Sequence, residues 1–128
     1  MVELLVGNGA NISWKNKDDL SLLHVACQFG HEKLVSFLIA KGADKDAQTN
    51  KGDTALYVAT QENKTKCVEA LLTAGAKVDL ADFDGTTPLM VAAEKGFTPI
   101  LALLLKKGAN IDAQDNTGFT ALMWTAQE

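Results

Sequence analysis

The chain predicts an all-α solenoid, built from stacked helix-turn-helix units with projecting β-hairpin-like loops. Three observations carry that prediction. Gly9-Ala10, Gly42-Ala43, Gly75-Ala76 and Gly108-Ala109 stand 33 residues apart, and a fixed period of this length marks an array of stacked repeats. Each pair follows an apolar run that ends in Leu5-Val6, Leu38-Ile39, Leu71-Leu72 or Leu104-Leu105. In the same register Ser21, Thr54, Thr87 and Thr120 each open a short apolar stretch, where a hydroxyl can cap the first free N–H groups of a helix. Such arrays work through extended surface rather than a closed pocket.

The first helix of each unit starts at those caps. Pro88 follows Thr87 at the first helical position, where its missing donor costs nothing. Small residues such as Ala59 and Ala92 let a neighbouring helix approach closely. The helix is short and stops at Gly30, Asn63 or Gly96; asparagine is among the few residues besides glycine that take a left-handed conformation readily. A second helix follows, with apolar residues at helical spacing: Leu34, Val35, Leu38 and Ile39, then Val68, Leu71 and Leu72, then Ile100, Leu101, Leu104 and Leu105. Thr98-Pro99 reads as another cap followed by proline. Gly42, Gly75 and Gly108 end these helices, with Lys41, Lys106 and Lys107 placed well against the helix dipole. The polar stretches between units carry turn signals at Lys51-Gly52, Asp84-Gly85 and Thr117-Gly118, which predict projecting hairpins.

Composition narrows the function. The 128 residues include 12 lysines and no arginine, against 16 acidic residues, for a net charge of −4. Without arginine the chain has none of the forks that grip phosphate or guanine, and with no basic stripe to compensate no nucleic-acid partner is expected. No apolar stretch approaches the ~20 residues of a membrane span, and the first residues read as no secretory signal. The expected compartment is the cytosol or nucleus. Cys27 and Cys67 fit no zinc or CxxC spacing and read as buried thiols. Asn11-Ile12-Ser13 and Asn63-Lys64-Thr65 match a glycosylation sequon and are taken as chance matches.

Thr87-Pro88-Leu89-Met90-Val91-Ala92-Ala93, with Gly96, Leu104-Leu105 and Gly108-Ala109 behind it, resembles an ankyrin repeat. His24-Val25-Ala26 with Gly30-His31 and Gly42-Ala43-Asp44 follows the same pattern. The resemblance spans essentially the whole chain and implies an ankyrin-repeat solenoid, 1–128. Its expected divisions are a partial repeat and linker hairpin at 1–17, repeats at 18–50, 51–83 and 84–116, and a partial repeat at 117–128. Asp19 replaces a hairpin glycine, so a looser first hairpin is expected. Residues 2–9 match only a second helix and 120–128 only a first, the pattern of a piece cut from a longer array. Such a domain is expected to be monomeric, with apolar ends free to stack.

Apparent catalytic groups dissolve into the repeat. His24 and Cys27 lie three residues apart, as a thiol–imidazole pair would, but the resemblance gives His24 the signature position, where the imidazole bonds neighbouring loop backbone. Cys27 shares a small-residue position with Thr60, Ala93 and Ala126. Asp44, Asp46, Asp79, Asp82, Asp84, Asp112 and Asp115 follow the repeat rather than a calcium loop of alternating oxygens. The expectation is therefore no enzyme, no metal and no cofactor.

Positions that vary while the beat holds are the informative ones. Resemblance to ankyrin arrays implies that they line a concave face and the hairpin tips, and the candidate partner-binding residues are Leu20, Phe29, Asn50, Asp53, Gln61, Phe83, Thr86, Glu94, Asn116 and Phe119. Among them Phe83 and Phe119 are apolar where solvent is expected, and a few aromatics commonly dominate an interface. Trp14 falls at a half-buried position and reads as packing; Trp124 reads as a plug towards a following repeat. The hairpins grow more acidic towards the C-terminus, which predicts a partner with basic character at that end. The expected function is a non-catalytic module that binds another polypeptide. The alternative is the substrate-recruiting arm of a larger enzyme or scaffold whose activity lies outside this segment.

Overall fold

The computed structural model describes residues 15–126. Trp14, residues 2–9 and the first sequon lie outside them. Seven helices occur among the described residues: α1 (Leu22–Gln28), α2 (Glu32–Ala40), α3 (Ala55–Gln61), α4 (Thr65–Thr73), α5 (Pro88–Lys95), α6 (Thr98–Lys106) and α7 (Ala121–Ala126).

The hydroxyl caps are where the register puts them. Ser21, Thr54 and Thr87 take extended backbone and accept from the N–H groups of His24, Tyr57 and Met90; the Thr120 hydroxyl accepts from Met123 N–H at 3.4 Å. Asn63 stops α3 with φ 58, as glycine does after α1 and α5. The second helices start differently from the expectation. Thr98 is already inside α6, and the cap position belongs to Phe97, which offers no side-chain bond. The tight turn that joins the two helices accounts for this. It is closed by backbone bonds from His31 to Ala26, Lys64 to Ala59 and Phe97 to Ala92 at 2.8–2.9 Å, so the chain enters the second helix without a hydroxyl cap.

The helices form two rows. α1, α3, α5 and α7 pack in succession, as do α2, α4 and α6, and each unit's two helices pack on one another. Ala26, Ala59 and Ala92 have no exposed surface, which permits the close approach within the first row. Leu38, Leu71 and Leu104 are buried at the matching point of the second row. Repetition of these positions creates one continuous core.

Each hairpin closes with the same pair of backbone bonds, for example Thr49 N–H to Asp53 O at 2.9 Å and Gly52 N–H to Thr49 O at 2.9 Å. The first hairpin is no looser than the others. Asn16 N–H reaches Leu20 O and Asp19 N–H reaches Asn16 O, both at 3.0 Å, because Asp19 itself takes a left-handed φ of 63. Successive tips are joined by one backbone bond each: Asn50 to Asp18, Phe83 to Lys51 and Asn116 to Asp84. Gly85 is required for that approach, since a Cβ there would lie 2.9 Å from Asn116 N.

Candidate interaction surface

The beat's polar side chains hold the hairpins. Asn16, Thr49, Asp82 and Asp115 share one register position, and each accepts two N–H groups of its own turn. Asp46 accepts from Lys77 N–H at 2.8 Å and Asp79 from Asn110 N–H at 2.9 Å, linking neighbouring units. Asp115 also accepts from the Thr117 hydroxyl, which leads in holding its carboxyl below the usual range. These bonds give Asp46, Asp79, Asp82 and Asp115 a part in holding the hairpins.

His24 is similarly engaged. Ser21 N–H donates to Nδ1 at 3.1 Å, so that nitrogen carries no proton. Nε2 then donates to the Asp53 carbonyl of the next hairpin at 2.8 Å. Burial, opposed by that backbone bond, pulls the imidazole below its ordinary pKa. With both nitrogens committed, His24 has none left to take a proton from Cys27. The Cys27 thiol is held well above its usual range by the neighbouring Cys67 and by burial. That contact between thiols 40 positions apart is invisible in the sequence. Both cysteines are free and buried.

The candidate surface residues separate. Asn50, Asp53, Gln61 and Phe83 line one cleft of about 650 Å³, together with Lys51, Tyr57, Asp82 and Asp84. Its walls are the second and third hairpin tips and its floor is α3. Leu20 is half-buried and lines an adjoining cleft that shares Asn50, Lys51 and Asp53. Phe29 is exposed at the end of α1, 6.4 Å from the His31 ring. Thr86 is half-buried and Glu94 exposed on α5. Asn116 is engaged in the fold, its amide donating to Phe83 O at 3.0 Å. Phe119 is half-buried rather than exposed, packed edge-on against Trp124 at 5.5 Å. That local packing lowers its value as a contact residue relative to Phe83, which is 64% exposed.

Tyr57 was not among the residues singled out from sequence. It holds the register position of His24, Met90 and Met123, and an aromatic hydroxyl amid those residues was the available signal. Its phenol is raised well above the ordinary range by burial and then by the Asp82 and Asp53 carboxylates. Burial, followed by the Asp82 carboxylate, also raises the Asp53 carboxyl. Three carboxylates, Asp53, Asp82 and Asp84, thus share this cleft with one cation, Lys51.

No helix among the described residues is long and apolar enough to cross a membrane. No curated protein sequence matches the chain. A family model described as ankyrin repeats (three copies) matches residues 1–82 and 72–128. The match covers the full length and agrees with the paired helices, left-handed stops and stapled hairpins, and the chain belongs to the ankyrin-repeat family, whose repeats are generally protein–protein interaction modules.

Proposed function

We propose that the chain is a non-catalytic module that binds a partner polypeptide across the hairpin tips and the first-helix row. Phe83 carries this reading: a phenyl ring on a hydrogen-bonded tip, exposed at the edge of a cleft. An apolar ring so placed gains most when a partner covers it. Leu20, Asp53, Gln61, Thr86 and Glu94 extend the contact surface, and Phe29 marks its far edge on the first unit. Asn50 and Asn116 act chiefly by holding the tips in place. The two free, buried thiols fit a reducing compartment, the cytosol or nucleus.

The test is affinity capture from cell extract with the wild-type chain and Phe83→Ala, followed by titration of the captured protein. Phe83→Ala should weaken binding by ~1–3 kcal/mol and leave the urea midpoint unchanged. Equal capture by both proteins, or a binding loss that merely tracks unfolding, would count against the reading.

A further inference from the structure

The cleft between the second and third hairpins has a lining that the fold does not use. Asn50 and Asn116, in register with Phe83, have amide side chains that reach the preceding tip. Phe83 has no such amide: its N–H donates to Lys51 O, its carbonyl accepts from Asn116, and its side chain, which borders Gly52, is largely exposed. Tyr57 departs in the same way. His24 ties its ring to the Asp53 carbonyl of the next hairpin, whereas Tyr57 forms no bond to the corresponding Thr86 carbonyl. It lines the cleft together with Asp82 and Asp53 instead. Asp53, Asp82 and Asp84 enter the lining with one cation, Lys51. Of the Asp82 carboxylate only Oδ1 is used by its turn, accepting from Asp84 and Thr86 at 2.9 Å.

An exposed aromatic face beside crowded carboxylates is complementary to a planar cation. We propose that this cleft receives an arginine side chain of the partner polypeptide, its guanidinium stacked on Phe83 and paired with the carboxylates of Asp82 and Asp53. Arginine fits better than lysine, because its weakly hydrated, planar fork can stack on a ring and pair with a carboxylate at once. The inference rests on the protein-binding reading above and names the chemistry that the partner presents at this point.

Asp82→Asn is a clean probe. Asn16 already performs the same turn-closing role with an amide oxygen, so the substitution removes charge and keeps the hairpin. The experiment titrates the pentapeptide Ac-Gly-Ser-Arg-Ser-Gly-NH2 into the ¹⁵N-labelled 128-residue chain and follows amide shifts. Saturable shifts are expected at Tyr57, Gln61, Phe83 and Asp84, with a dissociation constant on the order of millimolar. The lysine analogue should bind about fivefold more weakly and the citrulline analogue more weakly still. Asp82→Asn and Phe83→Ala should each weaken the arginine peptide by about fivefold or more, with amide spectra otherwise intact. Absence of saturable shifts up to 10 mM peptide, on the order of the weakest binding worth detecting, would overturn the proposal. So would shifts scattered over other acidic residues, or shifts indifferent to both variants. If the peptide fails while Phe83-dependent capture of a partner persists, the arginine inference falls and the protein-binding reading stands.

Discussion

His24 shows how one residue couples units of the array. It caps its own helix through Ser21 and reaches the next hairpin through Asp53, and it does so as a neutral ring. Burial holds its folded pKa below the ordinary 6.5. As pH falls through 6.5, the unfolded chain gains a proton that the folded chain resists, so stability declines until the lowered folded pKa is passed. The urea midpoint of the wild type should therefore drop between pH 7.5 and pH 5.5, and His24→Gln should be less stable at pH 7.5 but flatter across this window. Leu72 and Leu105 offer a second comparison, being in register but 6% and 41% exposed respectively. Leu72→Ala should cost ~2–5 kcal/mol through a core cavity; Leu105→Ala, with less surface to lose, should cost about 1 kcal/mol or less. Chemical denaturation of the two variants checks the difference, and equal losses would contradict the assigned burial.

At the scale of elements, the helix starts, stops and faces were legible in the sequence because each depends on near neighbours. A hydroxyl caps an N–H three residues on, and Asn63 takes its left-handed turn wherever the helix is packed. Thr98 misled because the two-residue Thr-Pro signal is the same inside a helix as at its edge, while the entry to α6 was decided by the backbone bond from Phe97 to Ala92. Asp19 misled in the other direction, since an aspartate can adopt the glycine conformation and keep the turn. The hairpins supply a controlled pair. Gly85 and Gly118 are in register with φ of 80 and 85, but a Cβ at Gly85 meets the next tip, while one at Gly118 meets nothing within 4 Å. Both alanine variants bear a left-handed cost of roughly 1–2 kcal/mol. Gly85→Ala should lose more than that and Gly118→Ala should not, as thermal unfolding will show.

Among the described residues, burial in one register is even from Leu23, 2% exposed, along the stack and falls at α7. Leu56 and Leu89 are 1% exposed, while Leu122, in the same register on α7, is 72% exposed. Met90 and Met123 differ likewise, at 1% and 46%. Since stability in a solenoid comes largely from contacts between adjoining units, amide hydrogen exchange in this chain should be slowest in α3 and α5 and markedly faster in α7. Uniform protection along all the helices would refute a nearest-neighbour stack. The same quasi-linear build links the hairpin tips in a hydrogen-bonded row, from which Phe83 is exposed.

By itself the sequence determined the repeat, the caps, the stops and the family, because a 33-residue beat of local signals states them four times over. It also marked Phe83, since a departure from a beat can be seen without coordinates. Only the tertiary structure decided what that departure faces. Phe119 turned out to pack on Trp124, Asn116 to bind the neighbouring tip, and Tyr57 to join Asp53 and Asp82 at one cleft. Asn116 reaches the backbone of a different unit, while the other contacts bring a hairpin tip onto a helix. Their closeness is set by how hairpins and helices lie on one another, which the order of residues does not state.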